Sequence, residues 1–172
     1  MSAKKPSVTI RRGTPADARG IRDAHIASIR GLCVTHYSQA QVDVWSSPRP
    51  LERYRKAMTE KGESYFVAAQ GRRVVGFAAW KDEELCAIYI HPRVAGQGVG
   101  KRLLEQAERD AMRKGVRRFR MHASLNALPF YRSQGYRVYR YAMHPLRRSG
   151  ITIRCAKMTK RLTKTGCRLS SA

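Results

Sequence analysis

Between Ile88 and Arg102 a β-rich segment runs through Ala95-Gly96-Gln97-Gly98-Val99-Gly100-Lys101-Arg102 into a helical pattern, and no other stretch constrains the fold as much. Alternating glycines let a ligand approach the main chain closely. Several N–H groups at the helix start lack partners, and the helix dipole adds about half a positive charge there. Lys101 and Arg102 reinforce it, so the geometry suits phosphate. Two familiar glycine motifs fail on the letters. A nucleoside-triphosphate loop would place glycine at 95 and Ser or Thr at 102, where Ala95 and Arg102 stand. A dinucleotide fingerprint opening at Gly96 or Gly98 would close on Lys101 or Leu103. What remains is G-x-G-x-G followed by two bases, a pattern that a tight turn without a ligand would also satisfy.

The rest of the chain reads as one unit around this loop. Val8 to Arg11 alternates like a strand, and Thr14-Pro15-Ala16-Asp17 carries the cap, first-turn proline and acid of a helix start. The helix that follows has an inward stripe of Ala18, Ile21, His25, Ile29 and Leu32, on which His25 reads as core packing. Short helices are expected over Gln39–Trp45 and Leu51–Thr59. Ser64–Ala69 and Val74–Trp80 flank Gly71 as a hairpin, and Leu85–Ile90 is a further strand. Gly98 to Lys114 is helical up to Gly115, and Arg118–His122 is a strand. A short helix capped by Asn126 and ended by Gly135 precedes two closing strands, the second marked by Ile151, Ile153 and Cys155. The order β-α-α-α-β-β-β-α-β-α-β-β predicts a mixed sheet with helices on its faces. Residues 7–162 form a single domain in this reading, 1–6 a disordered N-terminal segment and 163–172 a basic tail. Cys86 and Cys155, on strand patterns, are expected to be buried.

Charge narrows the partners. The 172 residues hold 35 Lys and Arg against 12 Asp and Glu, a net charge of +23. From 111 to 172 there is no acid and there are 16 Lys and Arg, leaving 19 bases and all 12 acids in the first 110. Such a basic C-terminal half attracts polyanions: nucleic acid, an acidic surface or a phosphorylated cofactor. The longest apolar run, Val74 to Trp80, is far short of the roughly 20 residues of a spanning helix, so no membrane association is expected. No h-region follows Lys4 and Lys5, and Cys33, Cys86, Cys155 and Cys167 are too scattered for a metal site. Both points fit a reducing, cytoplasmic setting.

One strand beyond the glycine helix, Ser124-Leu125-Asn126-Ala127-Leu128-Pro129-Phe130-Tyr131-Arg132-Ser133-Gln134-Gly135-Tyr136 places a tyrosine on a short helix. Together the two stretches resemble the GCN5-related N-acetyltransferase (GNAT) family. Ala95, Gly96, Gln97, Gly98, Val99 and Gly100 fall on the family's six-residue first motif, with Ala95 where Gln or Arg is usual. In the second motif Ser124 stands for the usual Asn, while Ala127, Tyr131, Gly135 and Tyr136 match. The resemblance covers about Val8 to Leu162. It implies an α/β fold with a mixed, mostly antiparallel central sheet, helices on both faces and a splayed pair of strands, Leu85–Ile90 and Arg118–His122.

It also implies acetyl-CoA as cofactor and transfer of acetyl to a primary amine of a small molecule or peptide, by direct attack in a ternary complex. The cofactor would lie on Ile88, Tyr89, Ile90, the loop from Ala95 to Arg102, Ser124, Asn126 and Tyr131. Tyr131 is the candidate donor to the leaving thiolate, whose solution pKa is near 8.5. A proton acceptor for the amine could be Glu84 or His122, with His36 and a water chain as further candidates. His36, Tyr37 and Trp45 are candidates to line the acceptor site, though both aromatics also suit a core. No metal is expected, and a homo-oligomer is compatible with the sequence. The rival from another class is a non-catalytic acyl-CoA-binding or nucleic-acid-binding module that uses the basic surface.

Overall fold

The computed structural model describes residues 7–147 and 149–163. The N-terminal segment and almost all of the basic tail, Cys167 included, lie outside them. Asp17 sets the first turn: its carboxylate accepts from the Thr14 N–H at 2.9 Å and from Arg11 at 2.7 and 2.8 Å. Those bonds, Arg11 foremost, hold it below the usual carboxylate range. A 3-10 turn over Pro15–Asp17 then runs into α1 (Ala18–Leu32), followed by α2 (Gln39–Trp45) and α3 (Leu51–Thr59). The strands are β1 (Val8–Arg12), β2 (Ser64–Gln70), β3 (Arg73–Lys81), β4 (Glu84–Ile90), β5 (Arg118–Ser124), β6 (Arg137–Pro145) and β7 (Thr152–Arg161). α4 (Val99–Arg113) joins β4 to β5, and α5 (Leu128–Ser133) follows β5. Asn126 is not the cap expected of it. Ser124 caps a 3-10 turn over Leu125–Ala127 that leads into α5, and Asn126 lies inside that turn.

The strands form one sheet in the order β1-β2-β3-β4-β5-β7-β6. Every neighbouring pair is antiparallel except β4 and β5, which the α4 crossover forces to be parallel. That parallel pair meets at a single register position, Glu84 with Arg120, and then separates. A β-bulge accounts for the divergence. Ala79 pairs with Ala87 and Trp80 with Leu85, so Cys86 is an extra residue without a partner on β3. The bulge explains why Cys86 is exposed rather than buried as expected, while Cys155 is buried.

Alternation along β2 splits the core. Phe66 and Ala68 face α4, where Val99, Leu103, Leu104, Ala107 and Ala111 form the helix's buried stripe. Tyr65 and Val67 face the other way, onto Ala18 and Ile21 of α1 and Tyr54 of α3. A third cluster joins Ile29, Tyr37, Val42 and Trp45 to Leu146 and Ile153. Two buried acids of α4 are fully engaged. Glu108 accepts from Tyr136 Oη at 2.9 Å and from Lys160 Nζ at 2.8 Å on both oxygens. Asp110 pairs with Arg12, Arg113 and Lys114. These bonds tie α4 to β7 and β1 and so fix the direction in which its N-terminus points. No helix among the described residues is long and apolar enough to cross a membrane.

Candidate functional site

A groove of about 440 Å³ runs past the start of α4. Gly98 takes φ +74° at the helix cap and Gly96 takes +73°, values that favour glycine. A Cβ built on either would meet no atom within 4 Å, so this part of the main chain is open. The Arg102 N–H is bonded to the Gly98 carbonyl at 3.1 Å, which leaves the amides of the cap and first turn, Gly98 to Lys101, without helical acceptors. The Gln97 N–H is already directed to the Val94 carbonyl at 3.4 Å. Lys101 lines the groove, whereas Arg102, expected there, donates to the Val8 carbonyl at 2.9 Å and lines none of it. Gln97 and the buried Val99 also lie off its walls.

The opposite wall combines Ile88, Tyr89 and Ile90 of β4 with Ser124, Asn126 and Tyr131. Ser28 and Leu32 of α1, Cys33 at its C-terminal cap and Phe130 also line the groove, and none of these four was expected from the sequence. The Cys33 thiol is pushed up to about 11, chiefly by burial. Asn126 Oδ1 is buried without a hydrogen-bond partner among the described residues, an acceptor suited to an N–H donor. Main-chain direction follows from the bulge. The His91 N–H donates to the Val75 carbonyl at 2.8 Å, so alternation sends the Tyr89 amide to β3 and those of Ile88 and Ile90 toward the opened side facing β5. Ser28 Oγ accepts from Ile90 N–H at 3.3 Å, and the Ile88 amide faces the gap.

The gap between β4 and β5 holds a small cavity of about 60 Å³ that shares Tyr89 and Tyr131 with the groove. Tyr131 is 4% exposed, packed edge-on against Phe130 and Tyr136. Its hydroxyl makes no hydrogen bond among the described residues. Burial raises its pKa, so it stays protonated at neutral pH. His122 also lines the gap, with its ring 5.7 Å from that of His144. Burial first, then Lys157 and His144, lower its pKa, and Glu84 opposes them. Glu84 itself is exposed at the paired end of the two strands and lines none of these cavities.

Beyond the gap lies a second cavity of about 280 Å³, sharing Trp45, Cys86, Ala87 and Tyr89 with it. Trp45 packs edge-on against Tyr37 and Tyr89 and lines both spaces. Tyr37 lines neither: its hydroxyl donates to the Arg154 carbonyl and accepts from the Leu125 N–H, both at 2.8 Å. It is a core aromatic that locks the connection between α1 and α2 to β7 and the turn before α5. His36 is exposed and bonded to Thr35 at 2.8 Å, away from all three spaces. His25, read as core packing, lines the second cavity beside Arg49, Arg53 and Tyr54. The sequence signal for this wall was the pair Arg49 and Arg53, four residues apart around Pro50, which the helix reading passed over. Among the described residues no group of three or more His, Cys, Asp or Glu could hold a metal ion.

Four similarities bear on this geometry. A family model described as an acetyltransferase (GNAT) domain matches residues 33–162. An uncharacterized N-acetyltransferase, ycf52-like, from Prochlorococcus marinus is 29% identical over 118 residues, 64% of this chain and 66% of that protein. The chain thus spans just under two thirds of that relative's length. Among solved structures, a GCN5-related N-acetyltransferase from Rhodopseudomonas palustris is 26% identical, with a TM-score of 0.81 over 94% of this chain and 100% of its own. PaiA N-acetyltransferase from Thermoplasma acidophilum, solved in complex with coenzyme A, is 20% identical, with a TM-score of 0.71 over 90% of this chain and 99% of its own. The glycine cap on α4, the bulged and splayed β4 and the tyrosine of α5 lie within the matched span, and by that match the chain belongs to the GNAT acetyltransferase family.

Proposed function

We propose that this protein transfers an acetyl group from acetyl-CoA to a primary amine held in the second cavity, by direct attack within a ternary complex. The observation that carries the reading is the Tyr131 side chain, buried between groove and gap, whose hydroxyl has no hydrogen-bond partner among the described residues. The groove suits coenzyme A. The amides from Gly98 to Lys101 and the Lys101 ammonium would hold its diphosphate, and the Thermoplasma relative was solved with coenzyme A. Asn126 Oδ1 would accept from an amide N–H of its pantetheine arm, and the Ile88 amide would lie alongside. When bound, acetyl-CoA supplies an activated thioester, so that a C–N bond to the amine forms as the C–S bond breaks and the thiolate leaves.

The chain's own groups then manage two protons. Tyr131, kept neutral by burial, donates to the departing sulfur. His122, on the gap and neutral at pH 7 because its pKa is lowered, takes the proton that the amine gives up. Glu84 acts on His122 only through its charge in this scheme. Trp45 and Tyr89 form the apolar wall between cofactor and acceptor and exclude water from the thioester. A thiol-release assay with acetyl-CoA and a panel of amines tests the reading. Amine-dependent release of coenzyme A is the expected result. Coenzyme A binding with no release in the presence of any amine would favour a non-catalytic role instead.

A further inference from the structure

We propose that the acceptor amine carries an oxyanion, a carboxylate or phosphonate on a molecule of amino-acid size, and that Arg49 and His25 bind this oxyanion in the cavity beside Tyr89. The inference rests on the acetyl-transfer reading and names its substrate class. Arg49 Nε is buried without a hydrogen-bond partner, and the guanidinium makes no ion pair among the described residues. That sets it apart from two cations that reach buried acids of α4. Arg12 meets Asp110, and Lys160 meets Glu108. A half-buried arginine whose Nε has lost water and gained no anion is unfavourable, and its planar fork matches the two oxygens of a carboxylate or two of a phosphonate.

His25 supplies a second donor. Its Nδ1 lies 3.0 Å from the Tyr54 hydroxyl, and with that hydroxyl donating, the proton sits on Nε2. Nε2 is buried and has no partner among the described residues. Two of the four buried polar atoms left without partners among the described residues therefore belong to side chains lining this one cavity. Its charge is lopsided: Arg49, Arg53 and Lys61 line it against one acid, Glu63. Burial first, then Arg53 and the nearby Arg147, hold Arg49 below its ordinary value. Burial and the same arginines push His25 down to about 3, so it remains neutral and does not add to the charge. A simple cationic amine or polyamine gains nothing from this lining, whereas an oxyanion neutralises it. At about 280 Å³ the space is worth about nine waters at liquid density, enough for one amino acid.

The test is a thiol-release comparison on the full chain, with the protein L-amino acids, their carboxamides, 1-aminoethylphosphonate and ethylamine as acceptors. An acid should exceed its carboxamide in kcat/KM by about 10- to 100-fold, mostly through KM. The phosphonate should be used ahead of ethylamine if any oxyanion suffices, and only carboxylates should be used if the planar group is read. Arg49→Gln should collapse the acid-to-carboxamide ratio toward one, and Arg49→Lys should restore part of it. Calorimetric titration of the best acid into protein without acetyl-CoA gives a readout apart from turnover, and Arg49→Gln should weaken that binding about tenfold or more while coenzyme A still binds. Carboxamides or ethylamine used as well as the acids, or a ratio unmoved by Arg49→Gln, would overturn the inference and leave acetyl transfer standing. Failure of coenzyme A to bind, with no turnover of any acceptor, would remove both.

Discussion

Tyr131 and Tyr136 sit five residues apart, both buried, yet removal of their hydroxyls should have opposite consequences. The Tyr131 hydroxyl has no partner among the described residues, so Tyr131→Phe breaks no bond within the fold. Its stability cost should stay within about 0.5 kcal/mol. Loss of a general acid typically slows a reaction by about 100- to 10,000-fold, and turnover at saturating acetyl-CoA should fall by an amount in that range. The Tyr136 hydroxyl donates to the buried Glu108 carboxylate at 2.9 Å, a bond to a charged group worth roughly 1.5–3 kcal/mol. Lys160 still contacts both Glu108 oxygens, so the loss in Tyr136→Phe should lie near the lower figure. At roughly 2–4 °C per kcal/mol for a chain of this size, its Tm should drop by about 3–6 °C. Thermal unfolding, thiol release and coenzyme A calorimetry on both variants separate the cases. If Tyr131→Phe lost stability as Tyr136→Phe does and kept its turnover, the donor role would be wrong and Tyr131 would be a structural hydroxyl.

At the helix cap, Gly98→Asp should abolish coenzyme A binding by calorimetry, because it places a negative side chain in the open space before the first-turn amides. Gly98→Asn, equally tolerant of the +74° backbone but neutral, should bind more weakly than the native protein and better than Asp; equal loss in both would mean that charge at the cap is irrelevant. His25 couples stability to acid. Its imidazole titrates near 3 in the native state and near 6.5 when unfolded, so the unfolded chain binds more protons between those values. Stability should therefore fall as pH drops through that window, by up to about 1.4 kcal/mol per pH unit, and His25→Gln should flatten the profile of Tm against pH. An unchanged slope would mean that His25 is not held neutral. Tyr37→Phe loses two main-chain bonds and should cost about 2 kcal/mol of stability, read by denaturant unfolding, with coenzyme A affinity intact.

Much of the fold was legible because its signals are local. Thr14-Pro15-Ala16-Asp17 fixes a helix start wherever it lies, and Gly71 and Gly115 mark a turn and a stop at the positions the structure shows. The loop from Gly96 to Lys101 was legible for the same reason, since unpaired amides at a helix start follow from backbone geometry alone. What escaped depended on pairing between distant strands. The extra residue Cys86 becomes visible only once β3 and β4 are in register, and it turns Cys86 outward and the Ile88 amide toward the gap. Arg102 could have pointed either way from the first turn of α4, and the nearness of β1 decided for the Val8 carbonyl. His25 shows the limit most clearly. On a helical wheel it belongs to the buried stripe, and it is largely buried, but it lines a cavity whose other walls come from elements distant in sequence, α3 and β4 among them. No spacing within α1 distinguishes a packed histidine from one left with an unpartnered nitrogen.

The central claim is that main-chain amides at the start of α4 bind a diphosphate and lay a thioester along the gap between β4 and β5. A crystal structure of the protein grown with coenzyme A tests it most directly. Diphosphate oxygens within hydrogen-bonding distance of the Gly98 to Lys101 amides, with a pantetheine N–H on Asn126 Oδ1 and the sulfur beside Tyr131, is the predicted result. Coenzyme A seated elsewhere on the basic surface, with the groove filled by solvent, would contradict the account.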